Sequence, residues 1–385
     1  MHNAQCIIHN WASAEWNYAL CIMNYALKKM IVRLDEFDKK RLEILNETML
    51  INGEAMELLA DYVTKNERLI RPDMLQKIVG GYDMEPGLAY SMLVASACGM
   101  EINENDAHKQ LFDDYFVRCF KRLDVSDFIN DPYLRTVKFP EKTLGDWELK
   151  MQSYVPCEAF VFDEPVQTSD FKEIPQIGFF EEEFKFPAVL QEGREWMAVK
   201  PSEILTMQTP IENAHGNVLA FGLGLGYFAF MASGKRSVKT VTIVEKDSNI
   251  IELFKTELLP QFPNAEKISI IEADAFEYAE KLSAEGAEHY DYIFTDIWHD
   301  TADGLALYLK MKRLNSKIQN TDFGYWIERS LLSRLRYTVF SQLYRLAKTS
   351  VRKQVADDEL VIETFQDFLK QISDNGLREI AARQA

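Results

Sequence analysis

Three glycines in alternate positions, Gly222, Gly224 and Gly226, follow directly on the apolar run Val218-Leu219-Ala220-Phe221 and lead into Tyr227-Phe228-Ala229-Phe230-Met231. A strand that turns at once into a helix needs a bend without Cβ atoms, and such a bend lets a ligand approach backbone N–H groups. Two further apolar runs close on acids: Val241-Thr242-Ile243-Val244 on Glu245, and Ile268-Ser269-Ile270-Ile271 shortly before Asp274. A fourth run, Tyr292-Ile293-Phe294, leads to Asp296. Short β-rich runs that each end on glycine or a carboxylate describe parallel strands with a ligand site along their carboxyl ends. Glu245 is placed to accept hydrogen bonds from a ribose diol, and Asp274 from an adenine amino group, with Ala275 and Phe276 beside the ring. Asp296 stands where a reacting group would lie, and a carboxylate there orients or deprotonates an amine or hydroxyl. Trp298 would wall the site or stack on a cation, and His299 would take a proton near neutral pH. The competing readings are core packing for Trp298 and an exposed loop position for His299. Asp300 and Asp303 are placed to cap a helix beginning near Thr301.

A glycine triplet alone is a weak marker. Here it follows a strand, precedes a helical pattern, and has acids at the next three strand ends, which together point to a nucleoside-bearing ligand. Gly224-x-Gly226-x-x-Ala229 also satisfies the dinucleotide fingerprint, so a nicotinamide dinucleotide is a rival. The acid that ends the third strand weighs against it, because a dinucleotide fold has no special need of one there.

The block from Gly216 to Asp300 resembles class I S-adenosylmethionine-dependent methyltransferases. In that family's terms Gly222, Gly224 and Gly226 correspond to the first motif, Glu245 to the ribose acid, Asp274 to the adenine contact and Asp296 to the fourth motif. The resemblance implies a Rossmann-like parallel sheet of the class I methyltransferase type, S-adenosylmethionine as cofactor, and methyl transfer to a small molecule. A sulfonium cofactor brings an already activated methyl group, so the protein mainly aligns a nucleophile with it. Ala220 departs from the pattern, since many of these enzymes carry an acid there. Spermidine synthases and related aminopropyltransferases also lack that acid and place β-hairpins just upstream; the stretch from Phe184 to Gly226 is similar to theirs in layout. They usually carry Asp where Leu225 stands here, and a second acid where His299 stands in Asp296-Ile297-Trp298-His299-Asp300. Aminopropyl transfer from the decarboxylated cofactor therefore ranks second, a non-catalytic sensor or interaction protein that retains the nucleoside pocket third, and a nicotinamide-dependent oxidoreductase fourth. Asp131-Pro132-Tyr133 is a near match to the Asn/Asp-Pro-Pro-Tyr device of amino-group methylation, but it lies upstream of the sheet.

The elements that must position these residues divide the chain into three. Residues 1–130 read as a helical N-terminal domain, with Leu42, Leu45, Met49, Leu59 and Tyr62 among the apolar positions at the helical period. Its expected role is packing or dimerisation, which makes a homo-oligomer an expectation. Residues 1–29 are odd in composition, and Met23 or Met30 are plausible alternative starts. Residues 131–205 form a β-rich connector broken by Pro132, Pro140, Pro156, Pro165, Pro175, Pro187 and Pro201. Strands are expected at 159–162 and 184–190, the latter in a hairpin with Trp196-Met197-Ala198-Val199 across Glu192-Gly193. Pro201 opens a short helix toward Thr209. Residues 206–385 form the cofactor-binding domain with a helical tail. No fifth strand stands out: Tyr337–Phe340 lies inside a helical run, and Leu360-Val361-Ile362 is short.

A chain of 385 residues with 47% hydrophobic content supports a sizeable core. A net charge of −17 repels polyanions at long range, so nucleic acid is an unexpected partner. The local basic helix at 329–353 is read as a solvated face answering the chain's own acids. Five scattered cysteines fit free thiols rather than a disulfide framework, and no paired-His spacing suggests a metal. With no stretch of membrane-spanning length and no secretory pattern at its start, the chain is expected to be cytoplasmic, with no membrane partner.

Overall fold

The computed structural model describes residues 27, 29–284, 288–349 and 359–382. The question of whether residues 1–26 and 28 are native, and the basic residues Arg352 and Lys353, lie outside them. At the centre is a five-stranded sheet built from β1 (Gly216–Phe221), β2 (Val238–Glu245), β3 (Ile268–Glu272), β4 (Tyr292–Thr295) and β5 (Asp322–Tyr325). Every neighbour pair is parallel and the order is β3-β2-β1-β4-β5. This is a Rossmann-like arrangement, in which strand order reverses between β1 and β4 and leaves a crevice at their carboxyl ends. Val218 through Phe221 are all buried, as a central strand covered on both faces requires. Successive side chains go to opposite cores. Val218, Ala220, Tyr292 and Phe294 pack with the aromatic residues of the connector. Leu219, Phe221 and Ile293 pack with the long helices.

Four helices matter to the site: α1 (Glu36–Lys65), α2 (Pro201–Thr206), α3 (Thr301–Asn315) and α4 (Glu328–Thr349). Asp35 caps α1 by accepting from the Asp38 N–H. The first half of α1 buries Leu42, Leu45 and Met49 beside α4, while its second half buries Ala55, Leu59 and Tyr62 in a third core. That third core also takes Ile174, Ile177 and Phe179 from the connector. Phe120–Arg122 adds a parallel strand to Glu173–Phe179. The N-terminal helices and the connector thus share both a core and a sheet.

The hairpin expected in the connector is present, Phe184–Gln191 pairing antiparallel with Arg194–Ala198. Its turn places both Glu192 (φ 50°) and Gly193 (φ 76°) in the left-handed region, as a tight hairpin demands. The fifth sheet strand is a correction to the sequence reading. Asp322-Phe323-Gly324-Tyr325 has little β-propensity of its own, and Gly324 is needed because a Cβ there would lie 2.0 Å from the Tyr292 hydroxyl. Of the weak candidates, Tyr337–Phe340 is helical within α4, and Leu360–Ile362 pairs with Met30–Val32 in a separate two-stranded sheet. Among the described residues no helix is long and apolar enough to cross a membrane.

The basic face of α4 is answered within the chain. Arg329 Nε donates to Glu164 at 3.0 Å, and Lys348 pairs with Glu43. Arg336, 3% exposed, lies between Glu173 and Asp374 and donates to the Ile372 carbonyl at 2.9 Å. Removing one partner of such a pair leaves an uncompensated buried charge. Arg336→Met is expected to cost about 3–5 kcal/mol in urea unfolding. A loss within experimental error would show that Glu173 is solvated.

Candidate functional site at the strand tips

Backbone hydrogen bonds align the four strand ends. Gly222 N–H donates to Val244 O at 2.9 Å, Asp296 N–H to Phe221 O at 2.8 Å, and Ala273 N–H to Glu245 O at 3.0 Å. Asp274, Glu245, Gly222 and Asp296 therefore stand side by side, on one edge of the sheet.

The three glycines all have positive φ: 96° at Gly222, 52° at Gly224 and 73° at Gly226. The reason for glycine differs from the one expected. A Cβ at Gly222 would lie 1.8 Å from the Asp296 carbonyl oxygen, at Gly224 1.9 Å from the Met197 sulfur, and at Gly226 2.3 Å from the Phe254 ring. Protein atoms, not a ligand, exclude the side chains. The loop's N–H groups are largely engaged as well. Leu223 N–H donates to Glu245 Oε2 at 3.2 Å, Leu225 N–H points at Met197 Sδ at 3.2 Å, and Gly226 N–H donates to Leu223 O at 2.9 Å. A pyrophosphate would find little of the amide cradle it requires.

Glu245 reaches from β2 across to the glycine loop, and its other oxygen accepts from Lys246 N–H at 2.7 Å and Asp247 N–H at 2.9 Å. Asp274 caps the helix Ala275–Leu282, its Oδ1 accepting from Phe276 N–H at 2.9 Å and Glu277 N–H at 3.1 Å. Ala275 is buried. Phe276 does not take the expected place beside a base: its ring lies 3.8 Å from Lys310 Nζ of α3 and packs against the second core.

Asp296 differs from its neighbours. Among the described residues its carboxylate receives no hydrogen bond. Burial, reinforced by the facing charge of Glu245, pushes it up to about 8. Trp298 takes the core-packing reading, and His299 is held by hydrogen bonds rather than exposed on a loop. The Trp298 indole, 4% exposed, packs edge-on to Tyr308 and against Gly304 in the second core. Both His299 ring nitrogens are engaged, Nδ1 with Asp300 Oδ2 at 3.2 Å and Nε2 with Glu195 O at 3.1 Å. The Asp300 bond, opposed by burial, holds the imidazole above its ordinary value. Asp300 and Asp303 form a capping box at the start of α3.

The fold brings here the Asp131-Pro132-Tyr133 motif, which lies upstream of the sheet in sequence, together with residues that carry no sequence signal. Tyr133 O–H donates to Leu225 O at 2.5 Å, and Tyr227 O–H to Asp131 at 2.9 Å. The Asp131-Pro132-Tyr133 motif thus clamps the glycine loop from the connector. Glu203, on α2, is 4% exposed, and its Oε1 has no hydrogen-bond partner among the described residues. Lys200 forms a buried pair with Glu195. Burial opposes the Lys200 charge, but Tyr154 and Glu195 outweigh it and keep the ammonium above its ordinary value. Beyond His299 and Asp300 opens a cavity of about 850 Å³, walled by α1, the connector and α4 and lined in part by Tyr154, Glu195, Lys200 and Trp326. Asp296 and the glycines are not part of its lining.

Because the Asp296 carboxyl is held above the ordinary carboxylate range, its contribution to stability is full in acid and fades as pH rises through about 8. Asp296→Asn removes that dependence. In thermal unfolding from about pH 6 to about pH 9.5 the variant is expected to gain on the wild type as pH increases. Parallel curves would sink the assignment.

No family model and no curated protein matches the chain. Among solved structures it is similar to the spermidine synthase from Thermotoga maritima, with a TM-score of 0.29 and 16% identity over 43% of this chain and 60% of that one. A spermidine synthase in complex with the transition state analogue AdoDATO gives a TM-score of 0.29 and 14% identity over 48% and 61%. The chain spans about three fifths of the length of these structures. A likeness at this level carries no argument about chemistry.

Proposed function

We propose that the chain is an adenosyl-sulfonium-dependent transferase whose first reading is methyl transfer from S-adenosylmethionine to a small molecule. The observation that carries the reading is Asp296: a desolvated carboxylate at the reversal of strand order, without a hydrogen bond or a cation among the described residues, facing Glu245. An organic cation supplies the missing countercharge, whereas a pyrophosphate would meet acids and occupied N–H groups. The residues therefore fit a sulfonium nucleoside better than a dinucleotide. The bound cofactor would supply an activated alkyl group on sulfur. Glu245 and Asp274 are the groups for its ribose and base, Asp274 through the oxygen that the helix cap leaves over. Asp296 would orient the acceptor, which the neighbouring cavity is large enough to admit.

One observation favours aminopropyl transfer as the second reading. Asp296, Glu245 and Glu203 crowd the reacting end, and the Leu225 N–H is taken by the Met197 thioether. An α-carboxylate is poorly received there, and the decarboxylated cofactor has none. Met197 is flexible enough to withdraw, which keeps the first reading open to the same geometry.

Calorimetric titration with S-adenosylmethionine, its decarboxylated form, S-adenosylhomocysteine and NAD tests both readings. The sulfonium compounds are expected to bind more tightly than the neutral thioether. Glu245→Ala should weaken them by about 1–3 kcal/mol, the loss of hydrogen bonds to a charged group. Tight NAD binding with none by the adenosyl compounds would overturn the proposal.

A further inference from the structure

Met197 is delivered to the glycine loop by a strand that is built irregularly. In the connector hairpin Val189 pairs with Met197 but Leu190 pairs with Glu195, so Trp196 is the extra residue of a β-bulge. In a regular strand Glu195 and Met197 would share a face. Here the Glu195 carboxylate pairs with Lys200 on the cavity wall, whereas the Met197 sulfur lies 3.2 Å from the Leu225 nitrogen, over the glycine loop. The bulge is fastened in place. The Trp196 ring packs edge-on to Trp147 with centroids 6.1 Å apart and lies 5.5 Å from the His299 ring, and His299 Nε2 is 3.1 Å from the Glu195 carbonyl oxygen. Gly224 is shaped to the same side chain: a Cβ there would fall 1.9 Å from the Met197 sulfur and 2.8 Å from its methyl carbon.

The contact is firm in position and weak in chemistry. Leu223 N–H donates to a carboxylate oxygen of Glu245 and Gly226 N–H to the Leu223 carbonyl oxygen, but the acceptor at Leu225 N–H is a thioether, the weakest of the three. A carboxylate is a much stronger partner for an N–H, and the unbranched Met side chain has the torsional freedom to leave. We propose that Met197 is the specificity-determining residue of this site: a displaceable plug that stays on the glycine loop for a ligand with no anionic group there, and withdraws for one whose carboxylate takes the Leu225 N–H. The inference rests on the sulfonium-binding reading of this site. It assigns to one residue the choice between two cofactors that differ only in the α-carboxylate. Withdrawal forfeits the packing on Gly224 and the N–H to sulfur contact, so a carboxylate-bearing ligand binds with that cost subtracted. A ligand without the carboxylate binds with the plug in place.

Methyl NMR on the full chain with isotope-labelled methionine methyls reads the plug directly. The chain has 14 methionines, and the Met197 resonance is the one that Met197→Leu, a substitution close in volume, removes. Saturating S-adenosylmethionine is expected to move that resonance to the position and narrow line of a mobile methyl, whereas decarboxylated S-adenosylmethionine leaves it in place. In calorimetry Met197→Ala should raise the affinity for S-adenosylmethionine about tenfold and change that for the decarboxylated compound by less than about twofold, the scale of one hydrogen bond to a charged group. Should Met197→Ala fail to fold, the wild-type spectra decide. A Met197 resonance that moves alike, or not at all, with both bound nucleosides overturns the plug, as does an affinity ratio that Met197→Ala leaves unchanged. Absence of binding by either nucleoside to the wild type and to Met197→Ala overturns the sulfonium reading and the plug with it. Calorimetry on the wild type tells the two failures apart.

Discussion

The reversal of strand order between β1 and β4 is the constraint on which the rest of the site depends. It brings Gly222 against the backbone of Asp296 so closely that the Asp296 carbonyl oxygen occupies the volume of a side chain at 222. Nothing larger than hydrogen fits, and the φ of 96° at Gly222 is itself costly for any other residue. Once β1 and β4 are locked in that register, Asp296 follows β4 into a partly buried position beside the glycine loop. Burial and the charge of Glu245 act on its carboxyl, and no arginine or lysine pairs with it among the described residues. On the function proposed above, a positive ligand would balance the charge of the site.

The same molecule satisfies its other buried charges with care. Glu164 accepts from Arg329 and from Ser330, Glu173 from Arg336 and Ser333, and Glu195 pairs with Lys200. Asn52 bridges the second of these neighbourhoods, accepting from Tyr115 O–H at 2.7 Å and Glu173 N–H at 3.0 Å while donating to Phe171 O at 2.8 Å. These contacts knit α1, the connector and α4 around the 850 Å³ cavity. A buried ion pair contributes little net stability but is expensive to break, so these pairs act as positional fixtures for the cavity walls. Against this background, Glu203 Oε1 is buried without a hydrogen-bond partner among the described residues.

Much of the central sheet was legible in the chain. The apolar runs ending at Phe221, Val244, Ile271 and Phe294 are local signals, and so is a glycine bend between strand and helix; each lies within a few residues of the group it positions. For that reason the common edge of Glu245, Asp274 and Asp296 is legible in the sequence, and so is the hairpin turn at Glu192-Gly193. The fifth strand was not legible, because Asp322-Phe323-Gly324-Tyr325 becomes β only by pairing with β4 and by leaving room for the Tyr292 hydroxyl. Of the two readings open for Trp298, the structure has core packing, and the His299 ring is engaged on both nitrogens. A strand exit turns side chains in different directions, and theirs went to the second core and to the Glu195 carbonyl.

By itself, then, the sequence determined where the strands run, where the chain must bend, and which acids end up at the strand tips. Backbone geometry and short-range patterning suffice for those features. Only the tertiary structure decided that Met197 covers Gly224, that Tyr133 and Asp131 clamp the loop, and that Glu203 is buried without a hydrogen-bond partner among the described residues. These arrangements depend on packing between segments far apart in the chain, whose side-chain directions are set by the cores they share rather than by their neighbours in sequence.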